Sequence, residues 1–211
     1  MIVFWSDSRY MSYNFLHPKQ DIDLCEELCM HCTPTPLAGL LVLEPKVFHD
    51  DRGFFFESFN QRTFEAATGI SKPFVQHNHS HSTHNVVRGL HYQIQQPQGK
   101  LVRVLSGSIH DVAVDIRRSS PTCGQWFAIN LSAENKQQLW IPEGFAHGFS
   151  VTSDCAEIAY LTTDYWAPPH ERTIRWDDPQ LSIRWPLRSA DAIISPKDAN
   201  GISFAEAELF A

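Results

Sequence analysis

Three histidines alternate with polar residues in the segment FVQHNHSH, residues 74–81. Alternate side chains of an extended strand share a face, so the histidines lie on one face and Gln76 and Asn78 on the other. The histidines are His77, His79 and His81. Such imidazoles can ligate Fe, Mn or Zn together with a carboxylate, but no Asp or Glu occurs between Glu65 and Asp111. We therefore expect no metal, and histidines that face solvent or only support a site.

The segment NVVRGLHYQ, residues 85–93, places an arginine and a histidine on either side of a glycine in an apolar strand. Glycine inside a strand indicates a bulge or a close approach of the backbone. Arg88 and His91 are three residues apart and would face opposite sides of a regular strand. A bulge at Gly89 would bring both into one pocket, where a histidine can act as a base near neutral pH. His91 taken alone is more typical of a hydrogen-bonded core histidine.

Short strands must position these residues, because aromatic and β-branched segments recur between turn signals from residue 37 onward. The predicted strands are residues 52–59, 74–82, 86–93, 101–105, 109–116, 126–131, 139–141, 145–152 and 157–166. Helix is predicted only at residues 62–68 and 204–210. The pattern predicts an all-β protein, a jelly-roll (cupin-like) β-sandwich with a few short helices that encloses a ligand cavity.

The composition excludes several classes of protein. The 211 residues are 43% hydrophobic and 19% charged, as in a globular domain, and the formal net charge of −7 disfavours a nucleic-acid partner. The longest apolar stretch, residues 37–43, is too short to cross a membrane. Five cysteines without a framework spacing argue against a secreted disulfide scaffold. We expect a cytoplasmic protein.

Residues 1–33 differ from the rest, since their apolar residues do not recur at the spacing of a helix or a strand and all three methionines lie there. We interpret them as a poorly ordered N-terminal extension and residues 34–211 as the jelly-roll domain. Three cysteines in the extension have the spacing C-x3-C-x2-C, which holds iron–sulfur clusters in radical enzymes. Those enzymes need a long α/β barrel that the pattern does not predict here, so we treat the spacing as coincidence.

Four later blocks resemble the dTDP-4-dehydrorhamnose 3,5-epimerase family. They are QGKLVRVLSGSIHDVAVDIRRSSPTCGQW, SAENKQQLWIPEGFAHGF, TTDYWAP and WDDPQLSIRWP. The resemblance runs in order from about residue 40 to residue 198. It implies a cofactor-independent enzyme that converts dTDP-4-dehydro-6-deoxy-D-glucose to dTDP-4-dehydro-L-rhamnose, with no metal. It also implies a homodimer in which one subunit donates the strand at residues 52–59 to the other.

The resemblance also implies roles for individual residues. His91 matches the base that removes the C3 and C5 protons, and Asp198 matches the carboxylate that orients it. Lys100 matches the cation at the C4 oxygen, and Tyr160 matches the acid on the opposite face. The residues that match positions contacting substrate are Arg52, Glu57, Gln76, Asn78, Arg88, His147, Trp166, Glu171 and Lys197.

Two positions depart from the family pattern. Leu161 stands where lysine is usual, and Trp166 stands where a tyrosine stacks on thymine. Trp166 lies an even number of residues after Tyr160, so it faces the site if the strand is regular. An indole can stack on a pyrimidine. The nucleotide preference therefore stays open.

Three alternative functions also remain. One is an enzyme that epimerises a single carbon or another nucleoside diphosphate 4-keto-6-deoxysugar. A more distant one is a metal-dependent cupin oxygenase that uses the histidine strand. The third is a non-catalytic binding module, against which His91, Lys100, Tyr160 and Asp198 argue because all four are intact.

Overall fold

The computed structural model describes residues 30–211, in which two β-sheets form a jelly-roll sandwich. The first sheet contains, in spatial order, β1 (His31–Pro34), β2 (Leu41–Glu44), β10 (Gln138–Ile141), β7 (Lys100–Ser106), β12 (Cys155–Thr162) and β5 (Gln76–Thr83). The second contains β13 (Glu171–Thr173), β6 (Val86–Gln93), β11 (Phe145–Val151), β8 (Ser108–Asp115) and β9 (Trp126–Ser132), and β14 (Ile193–Ile194) pairs in parallel with β6. A separate hairpin joins β3 (Phe48–Asp50) to β4 (Gly53–Phe55). The predicted all-β jelly-roll fold is confirmed.

Few helices accompany these strands. They are α1 (Gln61–Thr68), α2 (Pro196–Ala199) and the 3-10 helices Pro168–His170, Ser189–Asp191 and Phe204–Glu206. Helix α1 begins after Asn60, whose side chain accepts the Arg62 N–H, and ends at Gly69 in the left-handed conformation. Its fully buried Phe64 packs edge-on against Trp140 and so covers part of the outer face of the first sheet. Within residues 30–211, no helix is long and apolar enough to cross a membrane.

Apolar side chains at alternate positions fill the space between the sheets. Val102 and Ile158 of the first sheet belong to the same buried cluster as Ile109 and Phe149 of the second. Because alternate residues of a strand share a face, the same alternation places Tyr160 of β12 inward, where it packs against this cluster. The core therefore determines which polar side chains face the interior.

Strand β6 contains the predicted bulge. His147 of β11 pairs with His91, but Phe149 pairs with Arg88, so two residues of β6 lie opposite one residue of β11. Gly89 has a φ of +123°, and a Cβ there would lie 2.5 Å from the Gly148 Cα. Only glycine fits this backbone approach, and the extra residue turns Arg88 and His91 to the same face.

Three predicted boundaries of secondary structure were wrong. Of the strand predicted at residues 52–59, only Gly53–Phe55 is β-structure, and the strand predicted to reach residue 166 ends at Thr162. The predicted C-terminal helix is limited to the 3-10 turn Phe204–Glu206, because this segment packs on the second sheet. Strand β1 ends at Pro34 and pairs with β2, and Met30 belongs to the same buried cluster as Leu43, so residues 30–33 pack on the first sheet. The rest of the predicted extension lies outside the described residues.

We predict that Gly89→Ala destabilises the protein much more than Gly53→Ala. Both glycines have nearly the same φ, +123° and +126°, but a Cβ at position 53 would meet nothing within 4 Å. Backbone strain costs about 1–3 kcal/mol at either site, and overpacking adds about 1–3 kcal/mol at Gly89 alone. Urea denaturation measures both free energies of unfolding, and equal losses would show that the close approach does not matter.

Candidate active site

A cavity of about 250 Å³ opens between the two sheets and collects most of the predicted site. Its lining residues are Gln76, Asn78, His91, Tyr92, Gln93, Gln98, Lys100, Tyr160, Trp166 and Glu171. Seven of these were predicted from the sequence, and they come from both sheets and from the segments that follow β6 and β12.

His91 is paired with a buried carboxylate. Its Nε2 lies 2.5 Å from Oδ1 of Asp198, which is 3% exposed. The Ser195 side chain accepts the Asp198 N–H at the start of α2 and so fixes the carboxylate. Burial opposes ionisation of Asp198, but hydrogen bonds from His91 and the Gly89 N–H outweigh it and lower the pKa of the carboxyl. A carboxylate that accepts the Nε2 proton leaves Nδ1 of His91 free to act as a base.

Lys100 begins strand β7 and places its ammonium at the cavity. Desolvation lowers the pKa of Lys100 to about 8, although Glu171 and Asp111 oppose this shift. The side chain therefore still carries its charge at pH 7. A desolvated cation at this place can stabilise negative charge on a bound oxygen.

Tyr160 belongs to the first sheet and His91 to the second, so the two side chains line the cavity from opposite walls. Burial raises the pKa of Tyr160, and Glu171 adds to this effect while Arg88 opposes it. The phenol is therefore protonated at neutral pH and can donate a proton. A base and an acid that face each other across a cavity can move protons on opposite faces of one carbon.

Trp166 lines the cavity, but not because it alternates with Tyr160 along one strand as the sequence predicted. Strand β12 ends at Thr162, and Trp166 lies in the loop that follows and is 59% exposed. Its Nε1 is 3.4 Å from Glu171, which forms an ion pair of 2.5 Å with Lys197. Burial opposes ionisation of Glu171, but Lys197 more than compensates and lowers the pKa of the carboxyl.

Six predicted residues do not line the cavity. Asp198 and Lys197 pair with the lining residues His91 and Glu171, and the other four are held elsewhere. Arg52 pairs with Asp50 in the β3–β4 hairpin and is 90% exposed. Glu57 accepts hydrogen bonds from the residues around the start of α1, and Arg88 donates to Ser82 and to a backbone carbonyl of β5. His147 lies inward, but its Nε2 bonds both carboxylate oxygens of buried Asp111 at 3.0 Å.

The histidine strand does not form a metal site in the described part of the chain. Because Gln76 and Asn78 face inward on β5, the three alternating histidines face outward, and all three are exposed. No group of three or more metal-ligating side chains gathers within residues 30–211.

The sequence reasoning missed several residues. Asp111 was named only as a boundary, yet it is fully buried beneath His147. Gln93 lies two positions after His91 and shares its face, so the parity of β6 could have identified it. Ser195 caps α2, and a serine followed by proline is a helix-start signal that could have identified it. Gln98 acts through a loop contact for which the sequence pattern offers no signal.

A base and an acid on facing walls can remove a proton from one face of a carbon and return a proton to the other, which is the chemistry of an isomerase that works by proton transfer. The sequence model of the dTDP-4-dehydrorhamnose 3,5-epimerase family matches residues 34–206. The chain belongs to this family. It is 59% identical to the dTDP-4-dehydrorhamnose 3,5-epimerase of Pseudomonas aeruginosa over 86% of this chain and 99% of that protein. The corresponding Shigella flexneri enzyme is 54% identical, with coverage of 86% and 99%.

Solved structures show the same similarity. The dTDP-6-deoxy-D-glucose-3,5-epimerase of Legionella pneumophila, in complex with dTDP-4-keto-L-rhamnose, has a TM-score of 0.82 and 51% identity over 85% of this chain and 95% of that chain. A 3'-monoepimerase of Streptomyces bikiniensis, in complex with dTDP-quinovose, has a TM-score of 0.77 and 32% identity over 83% and 88%. The predicted family and class of enzyme are confirmed.

We predict that Lys100 titrates near pH 8, whereas an ordinary lysine titrates at about 10.4. Its charge is present below this pH and is lost as pH rises through it, because burial favours the neutral amine. NMR of protein labelled with ¹³Cε-lysine should show one resonance with this midpoint, and Lys100→Met should remove it. A midpoint above 10 for Lys100 would contradict the prediction.

Proposed function

We propose that the protein inverts C3 and C5 of dTDP-4-dehydro-6-deoxy-D-glucose and forms dTDP-4-dehydro-L-rhamnose. The observation that supports this most is the His91–Asp198 pair and Tyr160 on facing walls of one cavity. Both carbons neighbour the C4 ketone, so loss of either proton gives an enolate. Inversion then requires a proton from the other face, which two opposed groups can supply.

Each step assigns one task to one side chain. Nδ1 of His91 takes the proton, and the electron pair of the broken C–H bond moves to the C4 oxygen. Lys100 stabilises the resulting oxyanion, since its desolvated charge lines the same cavity as His91. Tyr160 then protonates the carbon from the opposite face, and solvent restores both groups between turnovers.

The substrate assignment to both carbons draws support from the relatives. The three 3,5-epimerases named above are 51–59% identical to this chain, whereas the 3'-monoepimerase is 32% identical. The exposed indole of Trp166 beside the cavity is suited to stack on the nucleobase. Arg88 lies close enough to oppose the rise in the pKa of the lining residue Tyr160, and Lys197 lies close enough to lower the pKa of Glu171. Both can therefore supply positive charge for the diphosphate.

A homodimer with an exchanged hairpin is part of the same proposal. Phe54 and Phe55 of the hairpin are 58% and 70% exposed, and exposed apolar clusters of this kind mark interfaces. The outer face of the first sheet has a mainly apolar hollow of about 270 Å³, lined in part by Leu101 and Leu161. Leu161 therefore contributes apolar surface at the position where lysine is usual. A partner subunit whose hairpin lies in this hollow could place the partner's Arg52 at the cavity between the sheets.

A cytoplasmic location also belongs to this proposal. The three cysteines within the described residues form no disulfide, as is typical of proteins in a reducing compartment.

The reaction is tested by incubating the protein with the proposed substrate in deuterated water. Deuterium should enter C3 and C5, and His91→Ala should lower exchange at both carbons by about 10²- to 10⁴-fold, the usual loss of a positioned base. Label at one carbon only would identify a mono-epimerase. Wild-type protein that exchanges neither proton would contradict the proposed reaction.

Tyr160→Phe separates the acid from the base. The change removes one hydroxyl and little volume, so we expect a folded variant that still exchanges deuterium into unreacted substrate through His91. Inverted product should form much more slowly, because no acid remains on the opposite wall. An equal loss of exchange and inversion would show that Tyr160 is needed for enolate formation itself.

Mixed dimers test the exchanged hairpin. Arg52→Ala and His91→Ala should each be inactive alone, whereas a mixture that exchanges subunits should recover about a quarter of wild-type activity, since half the dimers contain one complete site. If Arg52 acts within its own subunit, mixing restores nothing. Light scattering of the wild-type protein measures the oligomeric state directly.

A further inference from the structure

The loop of residues 163–167 carries Trp166 to the cavity with little apolar packing to hold it. Tyr165 and Trp166 are 60% and 59% exposed, so their rings bury little surface. An exposed loop without such packing ordinarily samples several conformations. Its backbone is held instead by glutamine side chains from neighbouring segments.

Gln93 bonds the residues on both sides of Trp166. Its Oε1 accepts the Ala167 N–H at 2.8 Å, and its Nε2 donates to the Tyr165 carbonyl at 3.1 Å and to the Gln96 carbonyl at 2.7 Å. Both amide hydrogens and the amide oxygen are therefore used, within a side chain that is 4% exposed. A buried carboxamide with these partners determines where the Trp166 backbone lies.

Two further glutamines hold the same loop. The Gln76 Oε1 accepts the Trp166 N–H at 3.0 Å, and the Gln98 Nε2 donates to the Asp164 carbonyl at 2.9 Å. Gln93 differs from both because it ends β6, two residues after His91 and on the same face. One strand therefore positions both the catalytic histidine and the loop that presents the indole.

We propose that Gln93 is a positioning residue that gives the site its affinity for an aromatic nucleobase by holding Trp166. The proposal rests on the function proposed above, in which Trp166 stacks on the base. Without Gln93, the Ala167 N–H and the Tyr165 carbonyl lose their partner, and the loop is free to move away. Proton transfer by His91 and Tyr160 does not depend on these bonds.

The test is a double-mutant cycle on the affinity for dTDP, with pyrophosphate as the ligand that lacks a base. By calorimetry, Gln93→Leu should weaken dTDP binding about tenfold and pyrophosphate binding by less than about twofold. Trp166→Ala should have a comparable effect, and adding Gln93→Leu to it should weaken dTDP no further, because coupled residues are not additive. Steady-state rates over a range of substrate concentrations should show that Gln93→Leu raises KM and leaves kcat within about threefold of the wild-type value.

Controls separate this role from a general loss of structure. Gln125→Leu changes an exposed glutamine and should alter neither affinity. Gln98→Leu removes one bond from the loop and should weaken dTDP binding in the same direction by less, which tests the loop even if Gln93→Leu does not fold. Additive effects, or an equal loss for both ligands, would overturn the role of Gln93. A wild-type protein that binds dTDP no better than pyrophosphate would instead overturn the nucleotide site itself.

Discussion

The close approach of Gly89 to Gly148 is the constraint on which the site depends. No side chain fits between these two backbones, and the bulge that results shifts the face of every later residue of β6. His91 and Gln93 thereby face the interior, and the Gly89 N–H is directed at Asp198. A regular strand would turn the histidine away from the cavity, and the carboxylate would lose two of its donors.

The charge states of Asp198 and Lys100 depend on the partners that each side chain has in or beside the cavity. Asp198 stays ionised despite its burial because several donors converge on it, and its charge fixes the tautomer of His91. Lys100 is different, since desolvation weakens its hold on the proton. A cation that is costly to bury gains most when negative charge develops next to it. The same cavity therefore holds a stable anion beneath the base and a cation available for the substrate.

The two sheets divide the chemistry between them. In the proposed reaction the second sheet supplies the base and the first supplies the opposed tyrosine, so the distance across the sandwich separates the two proton-transfer groups. Both rest on strands whose neighbours form the buried core. In contrast, Arg52 lies in the β3–β4 hairpin and does not line the cavity, so a role for it at the site rests on the proposed exchange of hairpins between subunits.

The sequence by itself determined the strand alternation, the bulge at Gly89 and, through the family resemblance, most of the cavity residues. These are local properties, since parity and glycine geometry depend on adjacent residues. It failed where contacts span the chain: Trp166 reaches the cavity through a loop held by Gln93, and His147 is held by Asp111. Only the tertiary structure decided these positions, because a hydrogen bond between segments distant in sequence leaves no periodic trace in either of them.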